Sequence, residues 1–161
     1  PICDLSDGSV PHLSAEIFQA FSTDAGSRTA EQAELASLSD ELVSELQESE
    51  VVLISLPMYN FSVPSTFKAW IDQVARAGVT FSYTENGPEG LVTGKKVYIF
   101  ATRGGQYVGT PMDTQTVWLK DMLGFLGMTD VDLIYAEGLA STDGAAQSMQ
   151  AASESVEKLA V

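Results

Sequence analysis

The sequence is poor in cysteine, histidine and positive charge, and each scarcity excludes a class of chemistry. A single cysteine, Cys3, cannot form an internal disulfide, so a reducing, cytoplasmic setting is expected. A single histidine, His12, lies in a loop rich in Ser, Asp, Gly and Pro, and any Ser-His-Asp or Cys-His arrangement would have to use it. No Gly-x-Ser-x-Gly elbow is present. Cys3, Asp4, Asp7 and His12 follow no recognised metal-ligand spacing, and a solvated loop accounts for them. Only 8 Lys and Arg stand against 22 Asp and Glu, a formal net charge of −14, so the basic footprint that a nucleic acid demands is missing. The same charge disfavours anionic membrane surfaces, and its plainest reading is a solvated acidic exterior. No apolar run approaches the roughly 20 residues of a membrane-spanning helix, and no basic segment followed by an apolar one marks a leader. Repeats and low-complexity tracts are absent. Gly90 to Lys95 superficially resembles a phosphate loop, but it lacks the first required glycine and leads into a strand. The Gly-x-Gly-x-x-Gly fingerprint of dinucleotide folds is missing as well.

What remains is ordinary globular material: 161 residues, 45% hydrophobic and 19% charged, enough for one domain with a real core. Ile2-Cys3-Asp4-Leu5 reads as the end of a strand. Ser14 to Phe21 reads as a short helix with Ile17, Phe18 and Phe21 on one side, and Ser22 to Arg28 as a polar linker. Thr29-Ala30-Glu31-Gln32 is a capping-box pattern that opens a long helix. Leu35, Leu38, Leu42, Val43 and Leu46 recur there at helical spacing, with acidic residues opposite.

Val51 to Leu56 is a short apolar run of the kind buried on both faces of a parallel sheet. A helix from Pro64 to Ala77 follows, with Phe67, Trp70, Ile71 and Val74 as its apolar stripe and Gly78 as its C-terminal cap. Phe81 to Thr84 and Leu91-Val92 flank Glu85-Asn86-Gly87, a hairpin signal. Lys96 to Thr102 is a second buried strand, Thr114 to Leu126 a helix, Val131 to Glu137 a third strand, and Ala145 to Leu159 the last helix. Buried strands alternating with amphipathic helices predict an α/β fold with a doubly wound parallel sheet. Ligands in such sheets lie beyond the carboxyl ends of the strands, which directs attention to the residues after Leu56, Thr102 and Glu137.

Two loops stand at those places. Pro57-Met58-Tyr59-Asn60-Phe61 follows the first complete strand, and Thr102-Arg103-Gly104-Gly105 follows the second. Both offer backbone N–H groups at strand ends, and the paired glycines let backbone approach a flat ligand. Tyr59 and Phe61 add aromatic surface. Such a site suits a neutral, planar, electron-accepting ring, and an isoalloxazine meets the description. Its nitrogens and carbonyl oxygens accept hydrogen bonds, and amide dipoles stabilise the charge that reduction brings. The residues alone equally allow core aromatics beside a plain glycine turn.

Pro57 to Phe61, Trp70 to Gly78, the long block from Phe81 through Thr84-Glu85-Asn86-Gly87-Pro88-Glu89-Gly90 to Lys96, Arg103-Gly104-Gly105, Gly124-Phe125-Leu126-Gly127 and Ala136-Glu137-Gly138 together closely resemble the bacterial FMN-dependent NADH-azoreductases. The resemblance covers nearly the whole chain. It implies a flavodoxin-like fold with sheet order 2-1-3-4-5, a homodimer, one non-covalent FMN per subunit, and ping-pong transfer of two electrons from NADH to a quinone or aromatic azo compound. It places Pro57, Met58, Tyr59, Asn60 and Phe61 along the flavin ring and its ribityl side. Thr102, Arg103, Gly104 and Gly105 would cradle the pyrimidine end, with Thr102 where the family more often has Ser. Tyr83 and Phe125 match aromatic positions on the substrate side of the pocket at the dimer interface. No side chain is expected to act as an acid or base, because the cofactor carries the redox chemistry.

Members of that family begin with a strand and a Ser-rich loop that holds the FMN phosphate at a helix N-terminus. Neither precedes Pro1, so the expectation is a single flavodoxin-like domain over residues 1–161, incomplete at its N-terminus and lacking the first strand of the sheet. A polypeptide longer than this one is expected, and an intact mass of about 17.2 kDa would sink that idea. Two other classes fit the same residues: a truncated non-catalytic flavodoxin-like module, and a flavin electron carrier.

Overall fold

The computed structural model describes residues 2–159. Its elements are α1 (Ala15–Ser22), α2 (Ala30–Glu48), β1 (Val51–Pro57), α3 (Ser65–Val74), β2 (Phe81–Thr84), β3 (Gly87–Gly90), β4 (Lys96–Thr102), α4 (Thr114–Leu126), β5 (Asp130–Ala136) and α5 (Ala145–Glu157). Strands β1, β4 and β5 form one parallel sheet in that order, and β2 with β3 form a separate antiparallel hairpin. The sheet register aligns Pro57 with Thr102 and Thr102 with Ala136, so the three following loops emerge side by side at one end. That alignment assembles the candidate site.

Helix starts follow local chemistry. Ser14 caps α1 by accepting from the Ile17 N–H. Thr29 and Gln32 form the expected capping box: the Thr29 hydroxyl accepts from Gln32 N at 3.2 Å, and Gln32 Oε1 accepts from Thr29 N at 3.0 Å. Leu42, Val43 and Leu46 of α2 then pack with Phe67, Ile71 and Val74 of α3, with Leu119, Leu123 and Leu126 of α4, and with Ile54, Leu56, Val97 and Ile99 of the sheet. A second small cluster, Ala20, Phe21 and Ala36, joins α1 to α2. Helix α5 packs on β5, and none of its residues is buried.

Several expectations are corrected. Residues 2–4 form no strand, and Leu5–Asp7 make a single 3-10 turn that Asp4 caps. Strand β1 is buried on one face only. Leu53 is 66% exposed, because α5, the helix on that face of the sheet, packs on β5 at the far side from β1. Helix α3 ends at Val74, three residues short of Ala77. The Thr80 hydroxyl donates to Val74 O at 2.6 Å and accepts from Arg76 N at 2.8 Å, drawing the chain out of the helix. Gly78 therefore caps no helix, and its N–H closes a turn onto Phe81 O. In the hairpin, Thr84 pairs with Gly87, so Glu85-Asn86 is a two-residue turn and β3 runs from Gly87 to Gly90. Leu91 and Val92 leave the hairpin because their N–H groups donate to Thr80 O and Leu126 O.

Candidate flavin site

The loop after β1 turns back at once. Tyr59 and Ser62 exchange backbone hydrogen bonds of 3.0 and 2.9 Å across Asn60 and Phe61. Both central residues have positive φ, 49° and 65°, the signature of a type I′ turn. Asparagine tolerates that region; phenylalanine does so at a cost. Asn60 and Phe61 are exposed, and the N–H group of neither donates to another described residue. The Tyr59 and Phe61 rings are 60% and 40% exposed, so neither is a core aromatic. Phe61 meets Tyr107 edge-on at 5.5 Å. Met58 is half-buried, and its N–H donates to Thr102 O at 2.9 Å, stitching the two loops together at their roots.

In the second loop, the N–H groups of Gly104, Gly105 and Gln106 likewise donate to no described residue. Thr102 and Gly104 are exposed. A Cβ on Gly105 would lie 2.5 Å from the Tyr107 phenol oxygen as that ring now sits. So Gly105 makes room first for a neighbouring ring of the protein. Five free backbone donors on two adjacent turns, flanked by exposed aromatic rings, form a neutral hydrogen-bonding concavity.

Arg103 behaves differently from its neighbours. Its side chain is fully buried, its N–H donates to Ala136 O, and its carbonyl accepts from Leu139 N. The guanidinium donates to Gln115 Oε1 at 3.2 Å, Glu137 Oε1 at 3.1 Å and Thr116 Oγ1 at 2.9 Å, lies 2.9 Å from Asp113 Oδ1, and stacks over the Tyr135 ring at 4.7 Å. Four protein groups thus hold the buried guanidinium from Nε, Nη1 and Nη2. Its work is to bind loops together: Glu137 Oε1 also accepts from the N–H groups of Tyr107 and Val108 at 2.9 and 3.1 Å. Burial by itself would raise the Asp113 carboxyl, but hydrogen bonds from Arg103 and Thr116 outweigh it and hold the group below its ordinary range. The one cation at the site is thus neutralised twice over, and the free donors around it are all uncharged.

Tyr83 and Phe125 lie elsewhere on the protomer. Tyr83, 76% exposed on β2, and Phe125 on α4 both flank Phe81, at 5.4 and 4.5 Å between ring centres. Phe125 sits eleven residues along α4 from Thr114, which touches the first loop; at 1.5 Å per residue that is about 16 Å. The structure therefore gathers 57–61 with 102–105 and sets Tyr83 with Phe125 at the opposite end of α4. Sequence reasoning missed Asp113, Gln115 and Glu137. Asp113 carries an N-cap signal ahead of α4 and Glu137 follows the third strand, whereas Gln115 has no local signature.

Residues 2–160 match the model of a family described by its flavodoxin-like fold. An FMN-dependent NADH:quinone oxidoreductase of Pseudoalteromonas atlantica is 54% identical over 157 residues, covering 97% of this chain and 78% of the relative. A protein of the same name from Burkholderia pseudomallei is 51% identical over 148 residues, covering 91% of this chain and 75% of its own length. The solved structure of an FMN-dependent NADH-azoreductase from Bacillus anthracis, in complex with FMN, superposes with a TM-score of 0.85 at 27% identity over 97% of this chain and 77% of that one. With two uncharged donor turns at the carboxyl end of a parallel sheet and half its residues shared with such relatives, the chain belongs to the flavodoxin-like family of FMN-dependent NADH:quinone oxidoreductases.

Proposed function

We propose that this chain is an oxidoreductase that carries two electrons from NADH through FMN to quinones or aromatic azo compounds, in ping-pong order. The observation that carries the reading is the set of unpaired amides at Asn60, Phe61, Gly104, Gly105 and Gln106, the chemistry that a neutral ring edge studded with acceptors requires. The residues present fit the ring of FMN. Tyr59, Asn60 and Phe61 with Met58 would line its ring, and the Thr102–Gly105 loop would hold the pyrimidine end. When bound, FMN supplies the redox chemistry, accepting a hydride equivalent from NADH and passing two electrons to the acceptor.

The chain's own residues supply position and electrostatics. The turn amides present partial positive charge without a counter-ion, so negative charge arriving on the ring edge is met by oriented dipoles rather than by reorganising water. Asp113 and Glu137 neutralise Arg103, which keeps a full positive charge from fixing the flavin potential. The exposed Tyr59 and Phe61 rings give flat acceptors an apolar surface to stack on. Residues 1–161 act as one domain in this reading. The protein works as a homodimer in the cytoplasm, and the partner's hairpin and α4 complete a substrate pocket that Tyr83 and Phe125 cannot reach within one protomer.

The test is anaerobic. Adding FMN and then NADH should give quenched flavin fluorescence, followed by loss of the oxidised flavin absorbance, which a quinone then restores. Double-reciprocal plots at several quinone concentrations should be parallel. FMN uptake without reduction by NADH would leave an electron carrier; no uptake would leave a non-catalytic module.

A further inference from the structure

The Tyr59–Ser62 turn holds two consecutive non-glycine residues in the left-handed region, which is strained for phenylalanine and less so for asparagine. Conformations of this kind persist only where the surroundings enforce them. Packing enforces little here, since Tyr59, Asn60 and Phe61 are all exposed. What reaches the turn from the fold is the first turn of α4. Gln115, wholly buried, donates from Nε2 to Pro57 O at 2.9 Å and to Ser62 O at 3.1 Å, one carbonyl on each side of the turn. The Thr114 hydroxyl donates to Phe61 O.

The orientation of the Gln115 amide is forced. Its oxygen faces the Arg103 guanidinium, which has donors only, so the NH2 group must face the loop carbonyls. Arg103 is in turn fixed by Asp113 and Glu137. A rigid relay therefore runs from two carboxylates through Arg103 and Gln115 to the turn, and it ties the first loop to the second through buried groups.

We infer that Gln115 is a positioning residue: it sets the Asn60–Phe61 turn, and with it the two unpaired amides, in register with the Arg103–Gly105 loop. Its consequence for flavin rests on the function proposed above. Gln115→Glu separates the roles of the side chain. A carboxylate still accepts from Arg103, but it has no N–H for Pro57 O or Ser62 O and sets its charge against them. Thr114→Val removes the neighbouring donor at an exposed position. Leu46→Ala, in the core of α2 away from the loops, is the control for general loss of stability.

Two measurements decide the matter. In flavin-free full-length protein, amide hydrogen exchange at Tyr59 and Ser62 should accelerate about tenfold or more in Gln115→Glu and Thr114→Val, the loss of about one hydrogen bond, and stay unchanged in Leu46→Ala. In fluorescence titrations well below Tm, Gln115→Glu should bind FMN about tenfold more weakly with an altered visible circular dichroism band, while Leu46→Ala keeps the wild-type Kd and band. Wild-type FMN affinity and dichroism in Gln115→Glu overturn the inference, as does an equal loss in Leu46→Ala. Should wild-type protein take up no FMN, the proposed function fails, and the exchange measurement alone then decides whether Gln115 positions the turn. Should Gln115→Glu not fold, Thr114→Val gives the same decision through Phe61 O.

Discussion

At the residue scale, Arg103 shows how a charge inside a neutral site is made safe. A guanidinium with no exposed surface needs counter-charge and acceptors around it, and here two carboxylates, a glutamine and a threonine supply them beside an aromatic face. Replacing Arg103 with Met should destabilise the protein by about 3–5 kcal/mol, because Asp113 and Glu137 would be left facing each other without a counter-ion. Urea denaturation reads this directly, and a loss under about 1 kcal/mol would mean that water already serves those carboxylates. Asp113 adds a pH signature. Its folded-state pKa lies below the ordinary 3.8, so the stability it contributes is present above that value and is lost as pH falls through the folded one. In Asp113→Asn, which keeps the N-cap of α4, Tm at pH 7 should be lower, and the fall of Tm between about pH 4.5 and 2.5 should be shallower than in wild type. Parallel Tm curves across that range would contradict the assignment.

At the element scale, the hairpin β2–β3 is held to α4 by a backbone contact that only glycine permits. A Cβ on Gly90 would run into Gly127 N and the Leu126 carbonyl carbon, which are backbone and cannot rotate away. The Gly90→Ala substitution should therefore lift the hairpin, break the Val92 N–H to Leu126 O bond, and cost about 1–3 kcal/mol. Faster amide exchange at Val92, with Leu53 in β1 unaffected, is the expected pattern. The same element shows where local signals succeed and fail. Asn86-Gly87 announced a hairpin, and a hairpin is there. Its second strand begins at Gly87 rather than Leu91, because Leu91 and Val92 are claimed by Thr80 and Leu126, partners that lie 11 and 34 residues away along the chain.

At the scale of the whole molecule, a net charge of −14 on 161 residues opposes compaction by self-repulsion. Added salt screens it, with a Debye length near 10 Å at 0.1 M. Tm should rise as NaCl goes from about 0.01 to 0.3 M, and a flat or falling Tm would show that ion pairs such as Lys96 with Asp130 and Asp132 outweigh the repulsion. The charge also bears on the proposed chemistry. Arg103, the cation beside the proposed flavin site, is already paired within the fold, so discrimination between acceptors would come from shape and stacking.

Much of this architecture was legible in the chain. Periodicity located α2, residue pattern gave its capping box at Thr29, and apolar runs marked β1 and β4. The alternation of those elements determined a parallel α/β sheet, and the sheet's geometry in turn pointed to the loops after Leu56 and Thr102. These are short-range properties, written in spacing and in residues that touch their neighbours along the chain. What the tertiary structure alone decided was what those loops are for. That Arg103 is buried and joins the loops, and that Gln115 reaches 58 and 53 residues back to Pro57 and Ser62, depends on three loops meeting at one sheet end. A glutamine in the first turn of a helix reads as any polar residue until the register of β1, β4 and β5 brings two carbonyls and a guanidinium to its amide, and no local pattern encodes that meeting.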